Sequence, residues 1–241
     1  MKILIVIPAR YKSTRLQGKP LKKIKNKELI LWVVEKCKKV NIRDKKEIIV
    51  ATDNKKIANL ITKNNCKFLM TSSKCLTGTD RVAEVAKKIK ADIYINVQGD
   101  EPLIKPSDIQ NVIAAKKKYP KKIICGYSKI SKNEKADNIN IPKVIFNEKK
   151  ELIYISRAKI PSSKEKKKFS GYFKQVCIYA FNRDELKKFQ SNKKSTLEKM
   201  EDIEIIRFLE KGKKIQMVKL SSQSHAVDIP SDIIKIEKLL S

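Results

Sequence analysis

The sequence predicts an α/β protein whose mostly parallel, mixed sheet carries helices on both faces, with a β-rich extension after residue 121. Three observations predict it. From residue 1 to about 118, short aliphatic runs alternate with stretches of helical periodicity, the order that winds a parallel sheet. The first run, Ile3-Leu4-Ile5-Val6-Ile7, is apolar at every position, as strands buried on both faces are. Beyond Lys121 the spacing shortens to closely set strands linked by turns.

Each element has its own signal. The first strand empties into Pro8-Ala9-Arg10-Tyr11-Lys12-Ser13-Thr14-Arg15-Leu16-Gln17-Gly18-Lys19-Pro20-Leu21. A helix is expected over 28–40, where Leu29, Ile30, Val33, Val34 and Cys37 make one apolar stripe. Residues 47–53 read as a second strand; Asp53 at its end either caps the next helix or faces a ligand. Ile57, Ala58, Leu60 and Ile61 give that helix its inner face, and 67–70 is a short third strand. Thr77-Gly78-Thr79-Asp80-Arg81 opens a helix that Thr79 or Asp80 can cap. Residues 92–97 form the fourth strand and 106–117 the following helix.

In the second half, strands are expected at 123–128, 143–146, 152–155 and 173–179, with Asn147-Glu148-Lys149-Lys150 as a hairpin turn. Residues 162–171 read as a charged, mobile loop. Helices are expected over 183–189 and 200–211, the latter stopped by Gly212, then a strand at 215–218 and a last helix over 233–240. No repeat and no linker composition divides the chain, so 1–241 is expected to form a single domain of two halves, 1–120 and 121–241.

Composition narrows the function. Lys and Arg number 56 against 26 Asp and Glu, a formal charge of +30 that raises nucleic acid or an acidic surface as a partner. The lysines are scattered, however, in groups such as 116–118 and 166–168 that read as solvent faces. No RNA-binding aromatic motif, zinc-finger spacing or basic heptad accompanies them, so no specific nucleic-acid binding is expected. Cysteines 37, 66, 75, 125 and 177 form no Cys-x-x-Cys pair, so neither a zinc site nor a disulfide framework is indicated and a reducing cytoplasm is expected. No segment approaches membrane-spanning length, so no membrane insertion is expected. A single histidine, His225, argues against His triads and His-ligated metals.

The chemistry therefore rests on carboxylates, Lys and Arg. Arg10, Arg15 and Lys19 leave one strand at the carboxyl edge of the sheet, where ligands of open α/β sheets sit. Two of those three cations are Arg in a chain with only seven, and Ser13, Thr14 and the backbone amides up to Gly18 add neutral donors suited to a polyphosphate. Gln98-Gly99-Asp100-Glu101-Pro102 follows another strand and offers carboxylates to a hard cation. Arg81 near a helix N-terminus is unfavourable without an anionic partner, which predicts a ligand there. Neither Gly-x-Gly-x-x-Gly nor a P-loop is present, which disfavours dinucleotide oxidoreductases and P-loop kinases.

Taken together, the motifs resemble the 3-deoxy-manno-octulosonate (Kdo) cytidylyltransferase family over essentially the full length. The resemblance rests on Pro8-Ala9-Arg10-Tyr11 through Ser13-Thr14-Arg15-Leu16, Gly18-Lys19-Pro20-Leu21, Ala51-Thr52-Asp53, Gly78-Thr79-Asp80-Arg81 and Asn96-Val97-Gln98-Gly99-Asp100-Glu101-Pro102. Ser156-Arg157, Ile160-Pro161, Ile178-Tyr179 and Val227-Asp228-Ile229-Pro230 complete it. It implies a Rossmann-like nucleotidyltransferase fold that couples CTP to Kdo, releasing pyrophosphate, for lipopolysaccharide or capsule synthesis.

It also implies roles. Arg10, Arg15 and Lys19 hold the triphosphate and act with Asp100 in catalysis; Ala9, Ser13, Thr14, Thr52, Asp53, Thr77, Gly78, Arg81 and Gln98 complete the CTP site. Asp100 and Asp228 bind Mg2+, although Asp228 read by position alone is a helix N-cap. Arg157 grips the sugar carboxylate, with Gln175, Tyr179, Glu204 and Ile205 around the sugar. The 1–120 half is then the CTP half, and 121–241 supplies sugar binding and the interface of a homodimer.

Several residues depart from the family. Cys75 and Gln175 stand where His is usual, Thr77 where Ser is, Cys177 where Gly is, Ile205 where Gln is and Gln17 where Pro is. Because Gln175 and Ile205 fall among the implied sugar contacts, the acceptor can differ from Kdo: an amino-Kdo or a nonulosonic acid is the alternative. A non-catalytic basic protein that binds nucleic acid is the remote one.

Overall fold

The computed structural model describes residues 1–13, 15–131, 134–164, 171–190, 193–221 and 225–240. Thr14 and, from the expected mobile loop, residues 165–170 lie outside them. The chain runs β1 (Lys2–Ala9), a 3-10 turn (Lys19–Leu21), β2 (Lys23–Ile24), β3 (Lys27–Glu28), α1 (Leu29–Lys38), β4 (Lys45–Thr52), α2 (Lys55–Lys63), β5 (Lys67–Met70) and α3 (Gly78–Lys88). It continues with β6 (Ile93–Val97), α4 (Pro106–Lys118), β7 (Ile123–Lys129), β8 (Lys143–Phe146), β9 (Leu152–Ser156) and β10 (Phe173–Phe181). Last come α5 (Arg183–Phe189), α6 (Thr196–Glu201), α7 (Ile206–Glu210), β11 (Ile215–Lys219) and α8 (Pro230–Leu239).

The main sheet has the order β11-β7-β10-β6-β1-β4-β5, with the β8–β9 hairpin joined to β10. β1 pairs in parallel with β4 and β6. Its aliphatic run is buried on both faces: Ile3, Ile5 and Ile7 pack with α1, α2 and α4, while Leu4 and Val6 pack with α3, α5 and α7. Each such side chain contributes roughly 1.5–3 kcal/mol by leaving water, which is why the central strand needs no polar position. Between β7 and β6 in the sheet order, β10 runs antiparallel to both. Its N-terminal end therefore lies beside the C-terminal end of β6, bringing residues near 175 to residues near 98.

A separate small core of Leu16, Ile24, Leu29, Val227 and Ile236 ties the loop after β1 to α8. It is the physical reason that Arg15 and Lys19 meet Asp228 although more than 200 residues separate them. Among the described residues no helix is long and apolar enough to cross a membrane.

Some sequence expectations need correction. The helix expected over 200–211 is two helices, α6 and α7, because Asp202 adopts a left-handed conformation with φ 49° and ends the first. Asn54, not Asp53, caps α2, and Thr77, not Thr79 or Asp80, caps α3. The last helix starts at Pro230, with Asp232 accepting the Asp228 and Ile229 amides, so the Asp228 side chain is not its cap. Lys116 does not lie on a solvent face: it is 2% exposed and paired with Glu185 at 2.7 Å. The turn at 147–150 and the stop at Gly212, φ 65°, are as expected.

Candidate active site

The cleft opens at the carboxyl edge of the sheet and encloses about 310 Å³. One wall comes from the loop after β1. Gly18, at φ 64°, donates its amide to the Tyr11 carbonyl, closing the loop and starting the 3-10 turn that carries Lys19. The Lys19 Nζ lies 2.5 Å from Asp100 Oδ2 and 3.3 Å from Asp228 Oδ1. Arg15 Nη2 reaches the same Asp228 oxygen at 3.1 Å, while Arg10 is exposed at the cleft. Burial alone would lower the Lys19 pKa; the two carboxylates outweigh it and hold the ammonium above its usual value.

The floor is the end of β6. A Cβ on Gly99 would sit 2.7 Å from the Pro8 carbonyl oxygen, so only glycine lets the two loops pack. The Val227 amide donates to the Asp100 carbonyl at 2.9 Å, setting the second acidic residue, Asp228, beside the first. The neighbouring Glu101 is buried, with Oε2 lacking a hydrogen-bond partner; burial, then repulsion by Asp100, pushes its carboxyl up to about 8.

The opposite wall is assembled from distant elements. Glu204, just before α7, accepts from the Thr79 amide at the α3 N-terminus and from Gln98 Nε2, both at 2.9 Å. Its carboxyl is raised by burial, against the hydrogen bonds from Thr79 and Thr77. Three residues on, Arg207 is 1% exposed and holds this turn in place. It pairs with Asp80 of α3 and Glu198 of α6, each at 2.7 Å, and stacks 3.9 Å from the Phe189 ring. On β10, Gln175 Nε2 donates to Tyr179 Oη at 3.0 Å and lies 3.7 Å from Cys125 Sγ. Arg157, after β9, gives its guanidinium to the backbone carbonyls of Glu201, Ile139 and Asp202 at 2.6, 2.9 and 3.2 Å.

The structure thus brings Ala9, Arg10, Arg15, Lys19, Thr77, Gly78, Arg81, Gln98, Asp100, Arg157, Gln175, Tyr179, Glu204 and Asp228 to one cleft. It does not bring Ser13, Thr52, Asp53 or Ile205 there. Ser13 Oγ accepts the Leu16 amide within its own loop. Thr52 is fully buried at the start of the turn into α2. Asp53 faces Arg81 at 3.0 Å, which also removes the argument that Arg81 lacks an anionic partner: its anion is internal. Ile205 is fully buried in the hydrophobic core, one residue beyond the side chain that turns into the cleft. The Arg157 fork is partly engaged within the protein: three of its five N–H groups hold the carbonyls of Ile139, Glu201 and Asp202.

Lys194 and Asp202, also at the cleft, carried no sequence signal. They pair at 2.6 Å, but Lys194 sits in a lysine run like many others. Cys75 and Cys177 line the cleft as neutral thiols, burial pushing the first up to about 12 and the second well above its usual value. Among the described residues no group of three or more His, Cys, Asp and Glu could enclose a metal. Asp100 and Asp228 nevertheless converge on one ammonium, and two hard oxygens on a point cation fit magnesium, which takes its remaining ligands from water and phosphate.

Known proteins supply the last observation. The cytidylyltransferase family profile matches residues 4–215. A 3-deoxy-manno-octulosonate cytidylyltransferase from Bdellovibrio bacteriovorus is 36% identical, over 100% of this chain and 98% of its own. One from Thermodesulfovibrio yellowstonii is 39% identical, over 100% and 99%. A solved CMP:2-keto-3-deoxy-manno-octonic acid synthetase complexed with CTP superposes with a TM-score of 0.90 at 35% identity, covering 100% of this chain and 98% of that one. A putative glucose-1-phosphate thymidylyltransferase from Bacillus anthracis, 14% identical with a TM-score of 0.68, shares the fold. By sequence, fold and cleft, this chain belongs to the 3-deoxy-manno-octulosonate cytidylyltransferase family.

Proposed function

We propose that the protein transfers the cytidylyl group of CTP to Kdo, forming CMP-Kdo and releasing pyrophosphate. The observation that carries this reading is the cleft itself: cations on one wall, two carboxylates converging on Lys19 at the floor, and hydrogen-bonding groups opposite. Membership of an enzyme family sets aside the non-catalytic nucleic-acid-binding reading.

The chemistry follows from charge. The anomeric hydroxyl of the sugar acid attacks the α-phosphorus in line, and the bond to the pyrophosphate oxygen breaks. Arg10, Arg15 and Lys19 neutralise the phosphate oxygens that otherwise repel the nucleophile, and they stabilise the leaving pyrophosphate. Asp100 and Asp228 would hold Mg2+, which when bound adds charge neutralisation at the phosphates. Glu204 and Tyr179 face the acceptor across the cleft, and Gln98, bonded to Glu204, joins that wall to the CTP site. Arg157 fixes the backbone at Ile139, Glu201 and Asp202 with three of its five N–H groups, and the remaining donors of this cleft-lining guanidinium serve the sugar carboxylate.

The fully buried Ile205 removes one reason to expect a different acceptor. Gln175 retains the other, because its amide is turned onto Tyr179 and Cys125. We place the enzyme in the cytoplasm as a homodimer, with the interface in the 121–241 half, where Ile139, Ile153 and Met200 are 66%, 58% and 81% exposed. Pyrophosphate release, measured with each nucleoside triphosphate and with Kdo, amino-Kdo or a sialic acid, tests the reading. CTP with Kdo is expected to give the highest rate; no release with any sugar acid would overturn it.

A further inference from the structure

We propose that Lys19 is a resident counter-ion that competes with a divalent metal for Asp100 and Asp228; this rests on the reading that those two carboxylates hold the metal. The Lys19 ammonium occupies the place between the carboxylates, 2.5 Å from Asp100 Oδ2 and 3.3 Å from Asp228 Oδ1, with 16% of its side chain exposed. Magnesium binds carboxylate oxygens at about 2.0–2.1 Å and demands their lone pairs in octahedral directions. An ammonium in hydrogen-bond contact with the same oxygens takes those lone pairs and repels a dication. The Lys19 backbone is fixed: its amide donates to the Leu16 carbonyl, and Pro20 beside it is buried. The flexible four-carbon stem is the part that moves.

Two consequences follow. Without nucleotide, Lys19 keeps two neighbouring carboxylates from repelling one another, so the floor of the cleft stays assembled. When a triphosphate enters, it offers the ammonium a stronger anion, and the carboxylates are released to a metal. Nucleotide and metal are then coupled through the position of one side chain, as linked binding requires.

The test uses Mn2+ alone, without nucleotide, its free concentration followed by electron paramagnetic resonance on the purified full chain. Lys19→Met is expected to bind Mn2+ on the order of tenfold more tightly than the wild type, and Lys19→Met combined with Asp100→Asn to lose that gain. Arg10→Met, which removes a cleft charge that contacts neither carboxylate, is expected to change affinity much less. Lys19→Gln provides the same comparison should the Met variant fold poorly, as a thermal melt would reveal. If Asp100→Asn leaves Mn2+ binding unaltered, the metal reading falls and this inference with it. If Asp100→Asn weakens binding but the Lys19 variants do not tighten it, or Arg10→Met tightens it equally, the competition alone is overturned.

Discussion

Along the wall built by the β1 loop, Arg10 and Arg15 stand at the surface, Arg15 with 54% of its side chain exposed, whereas across the cleft Arg157, Gln175 and Glu204 already hydrogen-bond within the protein. The first wall is a set of charges at the surface, Arg15 and Lys19 already balanced by the carboxylates at the cleft floor. The second is a set of dipoles held in fixed directions by buried neighbours, above all the Arg207 network. The difference has a physical reason. A polyphosphate is recognised by charge, which tolerates mobile side chains. A sugar is recognised by directional hydrogen bonds, which need groups locked before the ligand arrives.

The sharpest way to break this comparison is to mutate one residue on each side. Arg207→Met leaves Asp80 and Glu198 as buried carboxylates without their cation, and is expected to cost about 3–5 kcal/mol of stability in a denaturant melt. Arg10→Ala is expected to lower kcat on the order of 10²-fold with an unchanged melt, since Arg10 is exposed and fixes nothing. Should Arg207→Met prove neutral in stability, or Arg10→Ala unfold the chain, the contrast between the walls is wrong.

The same contrast explains what was legible in the sequence. Arg10, Arg15 and Lys19 lie within ten residues of one another, directly after an unmistakably buried strand, so their shared direction follows from local geometry. The opposite wall joins residues 98, 157, 175, 179 and 204: the antiparallel insertion of β10 beside β6 brings 175 and 179 to 98, the β8–β9 hairpin on β10 brings 157, and hydrogen bonds to Thr79 and Gln98 bring 204. Asp53 meets Arg81 for a similarly non-local reason: the end of one parallel strand abuts the start of a helix 28 residues later. The break between α6 and α7 was hidden because Ile203, Ile205, Ile206 and Phe208 are all buried, which mimics one apolar stripe, while the left-handed residue is Asp rather than Gly. Buried Lys116 and Lys174 were obscured by the lysine-rich background, each being paired with a glutamate from another segment.

Ile205 sharpens the comparison at a smaller scale. Family resemblance places a glutamine there against the sugar, but in this chain the side chain is fully buried in the core while Glu204 alone turns into the cleft. Ile205→Gln should therefore bury an amide among apolar neighbours and destabilise by roughly 1–3 kcal/mol, with no gain in the rate with Kdo relative to amino-Kdo. A shift in that ratio with an unchanged melting temperature would show that position 205 faces the acceptor after all.

The smallest effect is expected at His225, the sole histidine, which lies beside the segment that carries Asp228 rather than in either wall. Burial lowers its pKa first, then the like charges of Lys235 and Lys174, and Glu134 and Asp232 offset them only in part. A histidine with a depressed folded pKa binds fewer protons in the native than in the unfolded chain between that value and about 6.5. Native stability should therefore rise with pH across this window and flatten above it. His225→Gln cannot take up the proton in either state, so the difference between wild type and variant should change with pH through the window and be constant above pH 7. Paired denaturant melts at pH 5, 6, 7 and 8 measure that difference directly. A difference that stays constant from pH 5 to 8 would place His225 in solvent-like surroundings, and a wild-type stability that falls relative to the variant as pH rises above about 6.5 would mean that the opposing carboxylates, not burial and the lysines, govern its proton.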